Sequence, residues 1–581
     1  MNLGFILTSR SAGLRVQQNH DQTLMRLTHF SAFLLAMIFM LCTSTLASDA
    51  ANAPDAIFVN GDIYTQAQSA RAQALAVRDG RIVAIGSNDD IQKLKGSQTQ
   101  VIDLGGHFVM PGFNDAHSHL AAAGMRHLEV DLTGSSNLQD MQHRIGLKVN
   151  KAAPGEWILG SGWDHTLWPG QTLPTHQDID VMTNGHPAIF VRIDGHIAIA
   201  NTAALEAAGV TGKTQAPQGG KIDLDSQGQP TGILRESAQG LVFAKVPPPT
   251  PTQRRAAAEA SLTDAARWGV TSAQDGSSWE DFLVYEELER EGKLTLRISA
   301  WLRFNDPLDT LKQHRAHHSL DDPLLHTGML KGYMDGSLGS RTAALLAPYS
   351  DDPTTSGLMT IETEKLKLMA IERDRLGFQL AFHAIGDKAN EICLDVFESV
   401  QRMNPARDRR DRVEHAQVVA PDDMARFGKL NVIASMQPSH EMNDMRWAEQ
   451  RVGPERAKGA YAWNSLQKAG AKLAFGTDYD VEPINPFRGI YACVTRELPD
   501  GGPAGGWEPE EKLPLDQCLR AYTYGSAYAE FAEGKKGELK VGQYADFVVL
   551  STDLTKANPK EILKTEVLRT VVGGRVVYQR N

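Results

Sequence analysis

The sequence predicts an α/β protein: a (β/α)8 barrel with a small β-sandwich built from both chain termini and a subdomain inserted after the first barrel strand. Three features of the 581-residue chain lead there. Eight short apolar segments in its middle alternate with helical patterns. Ionisable residues stand at or near the C-terminal ends of five of those segments. Both ends of the chain carry alternating apolar residues broken by turn dipeptides. Alternation of strand and helix gives a parallel sheet with crossovers. Eight such units fit a closed barrel better than an open doubly wound sheet.

The eight strands read as residues 113–119, 269–275, 296–302, 329–335, 378–384, 412–417, 432–437 and 472–478. Between them lie helical stretches such as "TQRRAAAEASLTDAARWG", where Ala, Leu and Trp recur at helical spacing before a Gly stop. Residues 120–249 are too many for a loop. They are expected to form a subdomain, about 121–250, over the barrel mouth, with the consecutive prolines of "VPPPTP" as a stiff extended connector back. The barrel then spans 112–534. The terminal segments 55–111 and 535–581 form the sandwich, with hairpin turns expected at Asn60-Gly61, Asp79-Gly80 and Gly573-Gly574.

Composition narrows the partners. A net charge of -11 without a Lys/Arg block argues against nucleic acid. The apolar run from Phe30 to Cys42 follows Arg26 and precedes Thr45 and Ala47, which are placed like the small residues of a cleavage site. Residues 1–47 therefore read as a secretory signal peptide, too short for a comfortable membrane span, and the protein is expected in the periplasm. No stable span is expected after cleavage. Cys393, Cys493 and Cys518 then remain, and they read as buried, inert thiols.

The chemistry gathers at the strand ends, where barrels place their catalytic groups. His117 and His119 form a His-x-His pair, and strand periodicity puts both imidazoles on one face. His383 and His415 close the fifth and sixth strands, and Asp478 closes the eighth. A single such histidine is usually a hydrogen-bonded core residue, but four in register with a carboxylate suit Zn²⁺ or another first-row divalent ion. Asp478 read alone would cap its turn. Lys331 at the fourth strand has two readings. It is a snorkelling rim lysine, or a desolvated amine that takes up CO₂ to give an anionic carbamate able to bridge two ions.

These segments resemble the metal-dependent amidohydrolase superfamily, in its YtcJ-like branch, which includes N-substituted formamide deformylase-like enzymes. The stretches that carry the resemblance are "MPGFNDAHSHL", "GSGWDHTLWPG", "DGHIAIANTAALEAAGV", "PTGILRE", "KGYMDGSLGSRTAAL", "FHAIGDKAN", "RVEHAQ" and "FGTDYDVEPINPF". The resemblance implies one metal on His117 and His119 and another on His383 and His415. It further implies a carboxylated Lys331 bridging them, with Asp478 as ligand and general acid/base. One or two divalent ions per subunit, zinc first among them, and hydrolysis of a non-peptide amide or N-acyl C–N bond in a small-molecule substrate are the expectations that follow. The same centre on related barrels also deaminates, opens cyclic amides, or hydrolyses lactones and phosphotriesters, and a non-catalytic secreted binder is the alternative of a different class. A homo-oligomer stays open.

Four further residues have two readings each. His196 touches substrate or is structural in the insert. Trp163 and Trp168 wall an apolar pocket or pack within the insert. Arg341 meets an anionic substrate or pairs with a nearby acid.

Overall fold

Eight parallel strands pair in sequence order around the centre of the molecule. They are β1 (Phe113–Ser118), β2 (Val270–Asp275), β3 (Arg297–Arg303), β4 (Leu325–Tyr333), β5 (Leu380–Ala384), β6 (Arg412–His415), β7 (Ile433–Met436) and β8 (Lys472–Phe475). The computed structural model describes residues 53–67, 71–193, 195–217 and 220–581. The signal-peptide expectation for 1–47 lies outside them. Among the described residues no helix is long and apolar enough to cross a membrane.

Every expected barrel strand is present, but β6, β7 and β8 end earlier than their apolar runs suggest. His415, Ala416 and Asp478 adopt positive φ, which takes the chain out of the ladder at β6 and after β8. The ladder stops where the functional side chains begin.

β8 and β1 close the barrel without a regular ladder. Their link is a bridge between Ser118 and Tyr479 and a 2.7 Å bond from the Asp478 amide to the His117 carbonyl. The Asp115 carboxylate staples the seam. It accepts the backbone N–H of His117 at 3.1 Å and of Thr477 at 3.0 Å, and the Thr477 hydroxyl at 2.5 Å. Gly476 makes room for this, since a Cβ there would lie 2.5 Å from the His117 amide nitrogen.

The sandwich pairs a four-stranded N-terminal sheet with a five-stranded sheet in which Phe108–Pro111 runs antiparallel to Phe547–Leu550. Phe58, Leu75, Val109, Phe547 and Val571 fill the space between. The Asp79-Gly80 and Gly573-Gly574 hairpins form, with Arg78 facing Arg81 and Val572 facing Arg575. Asn60-Gly61 does not make a hairpin. Its turn carries the chain from the first sheet to the second, because the short strand Asp62–Ile63 pairs with Phe108–Pro111 instead of folding back.

Between β1 and β2 a six-stranded sheet, from Val130 to Arg235, buries apolar side chains on both faces. Pro251, expected in an extended connector, instead opens the helix Pro251–Arg267, where Thr250 and Gln253 form a capping box.

Cys493 and Cys518 were expected as free thiols and are joined in a disulfide. They lie on the helices Pro486–Thr495 and Leu515–Arg520, whose packing brings the two Cα atoms to 6.2 Å, inside the bridging range. Cys393 is the buried free cysteine among the described residues.

Two outcomes follow. Gly476→Ala forces the β8–β1 seam apart and is expected to cost about 1–3 kcal/mol, the range for overpacking, read by urea denaturation. Alkylation of the denatured, unreduced protein is expected to label Cys393 and to leave Cys493 and Cys518 unlabelled until reduction, read by peptide mass spectrometry.

Candidate metal centre

β1 delivers His117 into the barrel mouth, and His119 follows at the strand's end, with ring centroids 5.4 Å apart. Both Nε2 atoms reach the same oxygen, Asp478 Oδ1, at 3.6 Å and 3.2 Å. The positive φ of Asp478, forced by the turn after β8, aims its carboxylate back at β1.

His117 is oriented from behind. Its Nδ1 lies 2.6 Å from Glu414 Oε2, and Glu414 Oε1 lies 2.7 Å from Arg412 Nε. Arg412 also donates to the Ala116 carbonyl and the Ser435 hydroxyl, both at 2.8 Å. Burial works to raise the Glu414 carboxyl, but Arg412 and then His117 outweigh it and pull it down to about 2. A buried carboxylate on one imidazole nitrogen leaves the other turned to the centre, the usual support for a metal-binding histidine.

Lys331, near the end of β4, places Nζ 3.2 Å from His117 Nε2. The rings of Trp301 and Tyr333 wall its ammonium at 5.0 Å and 5.1 Å. Burial lowers the lysine to about 8, against the pull of Glu414 and Asp478. His383, on β5, commits Nε2 to the Gly336 carbonyl at 3.1 Å, which leaves Nδ1 as its uncommitted nitrogen. His415 directs Nδ1 at Gln437 Oε1, 2.7 Å away, and its ring centroid stands 4.5 Å from that of His383 and 4.8 Å from that of His117. The six residues His117, His119, Lys331, His383, His415 and Asp478 thus come together at one end of the barrel. Asp335 shapes the neighbouring loop by accepting the backbone N–H groups of Ala344, Ile385 and Gly386.

A seventh residue joins them that the sequence reading did not single out. His440 lies in the short helix Pro438–Asp444 after β7. Its Nε2 is buried without a hydrogen-bond partner, 3.9 Å from Asp478 Oδ2. The available signal was its position in "SMQPSH", just beyond a barrel strand's C-terminal end.

The donor set fits a divalent cation. One oxygen or nitrogen from each of His117, His119 and Asp478 lies within 4.8 Å of the others, and the same holds for His415, His440 and Asp478. Burial and then the Lys331 charge hold His117 down to about 3 and His383 to about 4. Burial and the neighbouring imidazoles of His383 and His117 hold His415 well below the ordinary histidine range. These imidazoles are therefore neutral near pH 7, the form that ligates metal. Burial alone would raise Asp478, yet the histidines around it keep its carboxyl well below the usual range.

The four residues with two readings are each engaged by neighbours. Trp163 and Trp168 are buried. They pack in the insert's core, with their indole N–H groups donating to the carbonyls of Phe190 at 2.9 Å and Ser135 at 2.8 Å. Arg341 is taken up by Asp351 through Nε at 3.1 Å and Nη2 at 2.9 Å, on the loop after β4. His196 meets Glu236 at 3.1 Å on the insert's surface.

The model of the amidohydrolase family, Amidohydro_3, matches residues 100–578. The chain belongs to that family. This amidohydrolase is 36% identical over 564 residues to the protein LONG AFTER FAR-RED 3 of Arabidopsis thaliana, covering 94% of the chain and 95% of the relative. It is 32% identical over 534 residues to the putative amidohydrolase YtcJ of Bacillus subtilis (strain 168), covering 90% and 100%. It is 26% identical over 545 residues to an N-substituted formamide deformylase of Arthrobacter pascens, covering 90% and 98%. An uncharacterized metal-dependent hydrolase from Pyrococcus horikoshii superposes with a TM-score of 0.72 at 30% identity, covering 87% of this chain and 99% of that one. The amidohydrolase is thus a metal-dependent hydrolase of the YtcJ-like branch.

Replacing Gln437 with Leu removes the acceptor that orients His415 Nδ1. Loss of such a supporting partner is expected to weaken metal binding by about 10–100-fold, read by competition with a chromogenic chelator.

Proposed function

We propose that this amidohydrolase cleaves a non-peptide C–N bond of an amide or N-acyl small molecule, with Asp478 as general acid/base. The observation that carries the reading is the position of Asp478. Its Oδ1 faces His117 and His119 while its Oδ2 faces His440, so one carboxylate is shared by two trios of candidate ligands. Similarity over nearly the whole length to a deformylase of N-substituted formamides supports the choice of bond.

His117, His119, His383, His415 and Asp478 would hold one or two divalent ions, with zinc the best match to imidazole donors. Such ions, when bound, supply a Lewis acid for the scissile carbonyl and lower the pKa of water towards neutrality. Asp478 takes the proton of the attacking water at Oδ2 and returns it to the leaving nitrogen. An amine leaves poorly unless protonated, so one carboxyl serving both steps suits this bond. Lys331 is buried, with the Trp301 and Tyr333 rings flanking its amine. At about 8 its amine is partly neutral at working pH, the form that forms a carbamate with CO₂ by making an Nζ–C bond and releasing a proton.

Export to the periplasm is part of the proposal. The apolar run from Phe30 to Cys42 supports it, and so does the Cys493–Cys518 disulfide, since such bonds persist in oxidising compartments.

Asp478→Asn is expected to reduce turnover by about 10²–10⁴-fold on the amide substrate, measured with metal content followed in parallel. Near-normal turnover in a metal-loaded variant would refute the proton-transfer role. In a panel of N-substituted formamides, N-acyl amino acids, cyclic imides, lactones and phosphotriesters, the linear amides are expected to be turned over best. Preference for a lactone or phosphotriester would overturn the bond assignment.

A further inference from the structure

A second convergence of ligating side chains lies at the opposite end of the barrel. Helix α1 (Trp279–Arg290) follows β2 and carries Glu286 and Glu289 in its later turns. Helix α2 (Leu308–His317) follows β3, and His318 is its C-cap. Asp322 sits in the turn that leads into β4. That turn precedes Leu325 at the start of β4, whereas Lys331 stands six residues further along the strand, roughly 20 Å away at the rise of an extended chain.

His318 Nε2 stands 3.5 Å from Glu289 Oε2 and 3.6 Å from Asp322 Oδ2. These separations exceed an N–H···O hydrogen bond, at about 2.7–3.2 Å. They match the edge of a tetrahedral coordination shell, which for bonds of about 2.0–2.2 Å is about 3.3–3.6 Å. The ligand atoms of all three residues lie within 4.8 Å of one another. His318 Nε2 has no accessible surface and no hydrogen-bond partner, so a buried nitrogen points between two carboxylates without bonding to either.

The surroundings fix that aim. Glu286 Oε1 lies 3.1 Å from His318 Nδ1 on the far side of the ring, and the Phe282 ring packs edge-on against the imidazole at 5.9 Å. Asp322 spends Oδ1 on the backbone N–H groups of Leu324 and Leu325, at 2.8 Å and 3.0 Å, which leaves Oδ2 for the convergence. A carboxylate on one imidazole nitrogen, with the other nitrogen facing two carboxylate oxygens, is the arrangement that supports a metal-binding histidine. The charge is unbalanced as well. Three carboxylates face His318, and one of them, Glu286, also meets His317 at 3.4 Å, while burial together with Asp322 pushes Glu289 up to about 7.

We propose that Glu289, His318 and Asp322 form a second metal site, taking a divalent cation of the zinc class with water completing its shell. It is separate from the centre at the barrel mouth. The N-terminal face of such a barrel serves stability, so the ion there ties the end of α1 to the α2–β4 turn and takes no part in hydrolysis.

The test needs no catalytic readout. Crystals of the unaltered protein grown with Zn²⁺ are expected to show an anomalous difference peak at the zinc edge between these three side chains. After dialysis against micromolar Zn²⁺, His318→Gln is expected to hold one ion per chain fewer than the unaltered protein, whatever number the barrel mouth binds. No peak between the three residues, or equal zinc in the two proteins, would overturn the site and leave His318 as an imidazole packed among three carboxylates. The diffraction arm decides the matter even where the variant fails to fold.

Discussion

The seam between β8 and β1 is the constraint on which the candidate centre depends. A barrel of eight strands must bring its last strand against its first, and here the two meet through Asp115, Gly476 and a few backbone bonds instead of a full ladder. The same turn that completes the seam gives Asp478 its positive φ and sets its carboxylate between His119 and His440. Closing the barrel and positioning the carboxylate are therefore one structural event.

Around that seam the electrostatics are arranged in two tiers. Behind the imidazoles stands a fully buried Arg412–Glu414 pair, which fixes the orientation of His117. A buried ion pair is weak evidence for stability by itself, because desolvation offsets its attraction. Its effect here is directional, since Glu414 Oε2, besides meeting Arg412, is aimed at His117 Nδ1. In front, burial keeps His117, His383 and His415 neutral while Asp478 stays ionised, a combination that attracts a cation and repels a proton.

Much of this was readable in the chain. The barrel strands announced themselves as short apolar runs between helical patterns, and the position of a histidine at such a run's end is nearly a coordinate, because successive strands of a barrel point the same way. That is why His117, His383, His415 and Asp478 could be grouped before any geometry was known. His440 escaped because it sits on a helix after β7, where strand register no longer says which way a side chain points. Trp163 and Trp168 were open to two readings because an indole serves a pocket wall and a core equally well, and only the hydrogen bonds to Phe190 and Ser135 separate them. The Cys493–Cys518 link depended on which two helices pack, and that is a long-range fact. In the convergence of Glu289, His318 and Asp322 the last two are four residues apart, but Glu289 comes from another helix, and only packing brings it in.

The sandwich joins the two ends of the polypeptide. Phe108–Pro111 pairs on one edge with the short strand Asp62–Ile63, but its other edge waits for Phe547–Leu550, more than four hundred residues later. A nascent chain leaving the ribosome thus holds an unpaired strand edge throughout almost all of its synthesis. The N-terminal part of the sandwich cannot be completed until the last few dozen residues arrive, so maturation of this protein waits on its far end, and a prematurely terminated product exposes an edge on which other chains can assemble.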